Sequence, residues 1–405
     1  MKPKVNYLKS AVLLVIFISI ITGGTVVLYD RSLPKGEKLL TLPQKASYAA
    51  PDETPHVAAV DVISRTTGDL AGYLGNTPVY SIHDPGPVGS VENQTSSVTL
   101  YDIAEKSLAP IKKSSLKLQE FKEVSPDKSK ILFLEYADDV ETFLKGGIDK
   151  RVYVYDYDTG KAVEIVNFNV KDNIVISGFG WSPDSKNIIY CVEKPNEKGF
   201  TFFVYNLDNM KTVKYTLSEN NQGYSKIINP QISNDGRYMY FVGSYLEHFD
   251  LTNGYSKLYR IDLLSEKKAA ELLAEDCLQY RLSGDGSRIV FCDFNNNSAR
   301  KGVFLYDTIT KKETKILDQT SLFDITADGS KIIYYVWNAG ATDIRAANLN
   351  GEGLDNITLL YRLIPGKLVM GLYWNNDGTR FAASTYSQEG KRIIDITDYI
   401  MVVKA

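Results

Sequence analysis

From about residue 70 onward the chain repeats one pattern of apolar and polar positions. A polar bend is followed by a run of four or five apolar residues, then a loop, then a second apolar run ending in an aromatic residue and an acid or amide. The bends are Val124-Ser125-Pro126-Asp127, Trp181-Ser182-Pro183-Asp184, Ile232-Ser233-Asn234-Asp235-Gly236, Leu282-Ser283-Gly284-Asp285-Gly286, Ile325-Thr326-Ala327-Asp328-Gly329 and Trp374-Asn375-Asn376-Asp377-Gly378. Their aspartates stand 57, 51, 50, 43 and 49 residues apart, a mean period of 50. Self-similarity at this period is the mark of a repeat architecture.

Each unit reads as four strands. Pro-Asp or Asp-Gly supplies a tight turn, in which the carboxylate accepts backbone N–H groups and glycine takes the positive φ. The next strand is continuously apolar, as in Ile188-Ile189-Tyr190-Cys191-Val192 and Ile332-Ile333-Tyr334-Tyr335-Val336. Both its faces are therefore covered, as in a sheet stacked between two others. Tyr153-Val154-Tyr155-Asp156, Val204-Tyr205-Asn206, Tyr259-Arg260-Ile261-Asp262 and Phe304-Leu305-Tyr306-Asp307 mark third strands, and turns such as Asp158-Thr159-Gly160-Lys161 lead into a fourth. No segment shows a helical period. A degraded copy lies upstream, where the Tyr73–Tyr80 hairpin carries Asn76 51 residues before Asp127 and Leu100-Tyr101-Asp102-Ile103 supplies a third strand. The pattern predicts an all-β, seven-bladed β-propeller, with six blades as the alternative. The apolar segment from His56 to Ile63 is suited to close the ring by completing the last sheet.

The amino terminus breaks the pattern. Lys2, Lys4 and Lys9 precede an apolar or small stretch from Ala11 to Tyr29, which ends at Asp30 and Arg31. As a helix it would rise about 28 Å, enough to cross a bilayer. Residues 1–10 then read as a cytoplasmic basic tail, 11–29 as a transmembrane signal anchor, 30–56 with Pro34, Pro43, Pro51 and Pro55 as an extended tether, and 57–405 as the propeller domain outside the cytoplasm. Cleavage near Gly23-Gly24-Thr25 would make the chain secreted instead.

Composition changes this picture little. Lys and Arg number 46 against 49 Asp and Glu, a net charge of -3, and no basic run tracks a phosphate backbone, so nucleic acid is not an expected partner. The 27 Tyr and 16 Phe suit pleated, half-buried surfaces. Cys191, Cys277 and Cys292 are too few for a disulfide framework and are expected to be buried thiols. Cys277 and Cys292 flank the turn at Gly284-Asp285-Gly286, which leaves a cross-hairpin bridge as a second possibility.

The segment Trp181-Ser182-Pro183-Asp184-Ser185-Lys186-Asn187-Ile188 resembles the Trp-Ser-Pro-Asp-Gly repeat of the WD40-like (PD40) family, found in TolB and in the propellers of prolyl oligopeptidase-type peptidases. The resemblance covers about residues 70–403 and implies the propeller fold. TolB carries an additional amino-terminal domain and is soluble, so its partners are not carried over. The peptidases add an α/β-hydrolase domain with a Gly-x-Ser-x-Gly elbow, which this sequence lacks. Some oligogalacturonate lyases resemble the same propeller and hold a metal with clustered histidines. Only His56, His83 and His248 are present here, with His83 and His248 expected in loops between second and third strands.

The repeat residues Asn76, Asp127, Asp184, Asp235, Asp285, Asp328 and Asp377 are read as turn-builders, and no metal, cofactor or catalytic residue is assigned. Loops between second and third strands are long at His83–Thr95, Ala137–Lys150 and Ser244–Ser256. Binding is expected on that face, through Asp138, Asp139 and Glu141 for charge and Tyr245, His248, Phe249 and Tyr255 for stacking or apolar contact. The function expected is a monomeric, non-catalytic scaffold that binds an envelope protein or glycan. The alternative is a metal-assisted polysaccharide lyase of the oligogalacturonate lyase type.

Overall fold

The computed structural model describes residues 55–404, except 66–67, 85–94, 114–117, 137–149, 170–174, 194–198, 218–225, 245–255, 267–268, 276, 294–301, 319, 321, 339, 351–352 and 390–391. The predicted anchor and all but the last two residues of the predicted tether lie outside the described residues. Among the described residues every regular element is a strand, and no helix is long and apolar enough to cross a membrane.

The strands form antiparallel four-strand units arranged in chain order about a common axis, a propeller-like fold. The first unit comprises Asp69–Leu74, Thr77–Asp84, Thr95–Asp102 and Ser107–Pro110; the second comprises Leu118–Val124, Lys130–Tyr136, Lys150–Asp156 and Lys161–Phe168. These two join into one eight-stranded sheet through a single parallel pair, Ser96 with Leu118. Four-stranded sheets follow over residues 175–217, 226–274, 277–318 and 323–363. The last combines Lys367–Trp374, Arg380–Glu389 and Arg392–Val403 with the first strand of the chain, Val57–Arg65, which pairs antiparallel from Val57 opposite Val403 to Arg65 opposite Ile396.

The apolar runs explain this stacking. Along Asn187–Glu193, Ile188 packs toward Leu132, Val152 and Val154 of the preceding unit, whereas Ile189 and Cys191 pack toward Ile227, Met239 and Phe241 of the following one. Lys331–Asn338 repeats the division: Ile332 and Tyr334 face Val290 and Cys292, and Ile333 faces Trp374 and Phe381. Alternate side chains thus serve two interfaces, so a strand with two covered faces carries no polar alternation. The thiols of Cys277 and Cys292 belong to different interfaces and form no disulfide, which removes the bridge across their hairpin.

One hydrogen-bonding pattern shapes the bends. Ser125 Oγ donates to Asp127 Oδ1 at 2.6 Å, the Ser129 N–H donates to the same oxygen at 3.0 Å, and the Lys130 N–H donates to Ser125 Oγ at 2.9 Å. Ser233 with Asp235, Ser283 with Asp285, and Thr326 with Asp328 repeat it, as does Asn375 with Asp377 through its side-chain amide. Neighbouring bends are then linked. The Gly75 N–H donates to the Lys128 carbonyl at 2.6 Å, the Asp127 N–H to Ser185 Oγ at 3.0 Å, the Asp184 N–H to Asn234 Oδ1 at 3.0 Å, and Asn234 Nδ2 to the Gly284 carbonyl at 2.6 Å. Gly284 lies so close to the next bend that a Cβ there would stand 2.6 Å from the Ala327 carbonyl oxygen. Asn375 Nδ2 joins the last sheet to the first by donating to Asn76 Oδ1 at 2.6 Å.

The final apolar segments form one continuous strand, Arg392–Val403. Asp398 is buried within it, accepting from Arg65 Nε at 2.7 Å and Ser384 Oγ at 2.7 Å, while Arg65 also reaches Asp69 Oδ1 at 3.3 Å. The guanidinium of the closing strand thereby ties the last sheet to the first. His83, expected in a loop, is part of the strand Thr77–Asp84 and pairs with Ser96.

Replacing a bend carboxylate tests the pattern. Asp285→Ala removes acceptors for Ser283 and for the Ser287 backbone, and a loss of about 2 kcal/mol is expected from denaturant midpoints at unchanged slope. A loss below a few tenths would show that the bends do not hold the sheets.

Candidate functional site

First strands of neighbouring units approach one another and line the axis, Val175–Trp181 lying against Lys226–Ile232 and Asp69–Leu74 against Lys367–Trp374. A bulge interrupts six of these strands, between Leu70 and Gly72, Phe121 and Glu123, Ile176 and Gly178, Ile228 and Gln231, Cys277 and Gln279, and Val369 and Gly371. A bulge re-aims the side chains that follow it. In Leu118–Val124 the extra residue is Lys122, and the residue re-aimed is Glu123.

Glu123 joins a charged cluster at the end of the axis nearest the bends. Asp324, buried, accepts the Trp374 N–H at 3.0 Å and lies 3.7 Å from Arg281 Nε and 3.8 Å from Lys128 Nζ. Lys128 belongs to the second unit and Asp324 to the sheet 323–363, which are not neighbours, so this ion pair spans the axis. Glu123 Oε2 is shielded from solvent and has no hydrogen-bond partner. Burial pushes its carboxyl up from about 4.5 to about 7, with Arg281 and Lys128 opposing that rise. The Tyr373 phenol is raised by burial and by the nearby Asp69, Asp398 and Asp324, so it stays protonated. Tyr280 donates to the carbonyls of Asn229 at 2.5 Å and Tyr240 at 2.9 Å, bracing the strand that carries Arg281. The cluster thus offers an acid–base group poised near neutrality, two cations able to hold an anion, and a phenolic donor.

Lys128 carries a second signal. It has φ 57 at the position after the bend aspartate, where Gly236, Gly286, Gly329 and Gly378 stand at 69 to 71. A side chain in that left-handed region costs about 1 kcal/mol. Ser185 also stands left-handed, at φ 59, in the following bend, where its hydroxyl accepts the Asp127 N–H, and Lys128 is the one of the two whose side chain reaches Asp324 across the axis.

The residues assigned from sequence to the loop face, Asp138, Asp139, Glu141, Tyr245, His248, Phe249 and Tyr255, all lie outside the described residues. Asp127, Asp184, Asp235, Asp285, Asp328 and Asp377 sit in the bends with their carboxylates bonded to the bends' own side chains and N–H groups, and Asn76 accepts from Asn375. Glu123, Arg281, Asp324 and Tyr373 were missed, because strand alternation does not announce which residue a bulge turns toward the axis. The lysine in a glycine position was the available clue.

No family model matches the chain, and no curated protein matches it in sequence. Solved structures do resemble its fold. An oligogalacturonate lyase from Vibrio parahaemolyticus is 8% identical with a TM-score of 0.52, the match covering 85% of this chain and 97% of that one. An oligogalacturonate lyase in complex with manganese is 10% identical with a TM-score of 0.51, covering 87% and 98%. The β-propeller domain of the Trilobed protease from Pyrococcus furiosus, described as having an open velcro topology, is 13% identical with a TM-score of 0.51, covering 82% and 95%. Here, by contrast, Val57–Arg65 completes the last sheet. TolB from Acinetobacter baumannii matches at a TM-score of 0.40, too low to carry kinship. These likenesses establish a β-propeller fold. They also overturn the expectation of a non-catalytic scaffold, which rested on the lack of a hydrolase elbow and on the scarcity of histidines for a lyase metal site. Two lyases match over nearly their whole length, so a propeller of this extent is compatible with catalysis.

The manganese complex raises the question of a metal. Among the described residues no three His, Cys, Asp or Glu side chains gather as a ligand set. His56 sits at the rim, bonded through its backbone to Leu359 and Lys404, and His83 lies on the first unit. The described donors do not fit a metal centre.

Glu123 makes stability depend on pH. With a folded value near 7 and an ordinary value near 4.5, the unfolded chain ionises first as pH rises, so stability falls between those values by about 3 kcal/mol. Glu123→Gln should match the parent at pH 4 and exceed it by about that amount at pH 8 in denaturant titrations. A pH-independent difference would remove Glu123 as the titrating group.

Proposed function

We propose that the chain is a seven-bladed propeller, tethered outside the cytoplasm by residues 11–29, whose axial cluster performs lyase-type elimination on an acidic oligosaccharide. The blade count takes the eight-stranded sheet as two blades, since its halves meet at one residue pair. The Trp181-Ser182-Pro183-Asp184 repeat supports kinship with the WD40-like propellers. The observation that carries the chemistry is the buried carboxyl of Glu123, whose Oε2 has no hydrogen-bond partner, within the influence of Arg281 and Lys128. Oligogalacturonate lyases on the same fold show that this architecture hosts such a reaction.

In this reading Arg281 and Lys128 hold the carboxylate of a uronate unit and stabilise the charge that builds as its α-proton leaves. Ionised Glu123 takes that proton. The electron pair forms the new carbon–carbon double bond, the glycosidic carbon–oxygen bond breaks, and Tyr373 donates its proton to the departing oxygen. Proton exchange with water restores both groups.

Turnover of a uronate oligomer is measured by the ultraviolet absorbance of the unsaturated product. The rate should rise with pH to a plateau above about 7, as Glu123 loses its proton, and Glu123→Gln should lower it about a thousandfold. Absence of unsaturated product from every uronate oligomer offered rejects the elimination. Lys128→Gly separates function from folding: relief of the left-handed side chain should leave stability unchanged or about 1 kcal/mol higher, while turnover falls at least tenfold. Unimpaired turnover would take Lys128 out of the site.

A further inference from the structure

The other end of the strand Leu118–Val124 carries a separate group of polar side chains that the reaction does not use. Glu120, buried, accepts from the Tyr136 hydroxyl and from Lys122 Nζ. Lys122 also lies over the half-buried ring of Phe179 on the neighbouring sheet, 5.8 Å from its centroid. Tyr136 ends one strand and Lys150 begins the next, paired in register, with Lys150 Nζ 6.0 Å from the Tyr136 ring centroid. Among the described residues the one carboxylate of this group is engaged twice, and two ammonium groups lie beside it. Among the described residues no carboxylate forms an ion pair with Lys150. Burial holds its ammonium below the usual lysine range, with Glu120 opposing and Lys122 adding to the effect. A half-buried cation without a counter-ion is costly to maintain, and an anion placed beside it would recover much of that cost.

We propose that Lys150 and Lys122, with the rings of Tyr136 and Phe179, form a second subsite that holds a carboxylate-bearing sugar unit remote from the reacting one. The lysines meet the carboxylate, and the aromatic faces suit the C–H face of a pyranose ring. Glu120 fixes the geometry by holding Lys122 and Tyr136 and leaves Lys150 for the ligand. The inference rests on the reading of the axis as a site for acidic oligosaccharide, because Glu120 and Lys122 precede Glu123 on one strand. A chain long enough to occupy both places would be anchored at one end and cleaved at the other.

Binding is measured by calorimetry in the full chain carrying Glu123→Gln, which suppresses turnover, using a uronate oligomer and a neutral oligomer of equal length. Lys150→Met in that background should weaken the uronate oligomer about tenfold, Lys150→Arg should restore it, and the neutral oligomer should be indifferent to either. Circular dichroism and thermal midpoints establish that the variants fold. Equal affinity of Lys150→Met and its parent, or no binding of the uronate oligomer by the parent, overturns the subsite. Selective loss on Lys150→Met in a protein that never yields unsaturated product would reject the elimination and leave the subsite standing.

Discussion

The fold depends on the hydrogen-bonded bend at one end of each unit and on its hand-to-hand contact with the next. Each bond contributes only about 1 kcal/mol, and the apolar interfaces supply most of the driving force. Those interfaces are non-directional, however, and tolerate sliding of one sheet over another. The bends remove that freedom. Ser125, Ser233, Ser283 and Thr326 lock their own aspartates, and Asp127, Asp184 and Asn234 reach the adjacent bend. The wedge angle between sheets is thereby set at one end, and the first strands are brought close about the axis. No sheet covers its own two apolar faces, so the first and last sheets gain from closure of the ring. Val57–Arg65 provides it and carries the guanidinium that neutralises Asp398.

Two sets of buried charge show different degrees of satisfaction. Asp398 has Arg65 and Ser384 as direct partners, and Arg65 has Asp69 and Ser384 besides. Such a network withstands burial because every charge is matched. Glu123 has cations nearby but an oxygen with no partner, in a position whose ionisation is penalised by burial. A structural carboxylate would be better served by glutamine or by an apolar residue. Lys128 repeats the argument in backbone terms, since glycine would relieve its φ. Where local stability is forgone at two positions of one charged cluster, a role outside folding is the economical explanation.

The architecture was legible because it is written in residues that act locally. The Ser-Pro-Asp and Asp-Gly bends, and the apolar runs of Ile188–Val192 and Ile332–Val336, depend on neighbours within a few positions or on a two-sided burial any stacked sheet imposes. The axial cluster was not legible for the converse reason. Glu123 follows a bulge, so its direction depends on one unpaired residue, Lys122, which alternation cannot locate. Asp324 stands in an apolar setting as if it were an interruption, and its partners come from Lys128, Arg281 and Trp374, on three other units. Asp398 is a polar break in an apolar run, and Arg65, over three hundred positions away, matches its charge within the strand. His83 was placed by the expected loop length, and strand pairing with Ser96 carried the strand further.

The composition of the axial cluster also couples chemistry to ring closure. Glu123 and Lys128 come from the second unit, Arg281 from the sheet 277–318, Asp324 from 323–363 and Tyr373 from the last sheet. No single sheet holds two members of opposite charge from this group except the second, where Lys128 is turned toward Asp324. The 3.8 Å distance from Lys128 to Asp324 therefore exists only when non-neighbouring sheets are held in place. That condition is set by the bends and by the Arg65 latch between the first and last sheets. A disturbance at the rim of the closing strand, far from Glu123, acts on the site by loosening the ring that positions it. The bulged strand Leu118–Val124 is the common element, with Glu120 and Lys122 directed to one cluster and Glu123 to another by a single inserted residue.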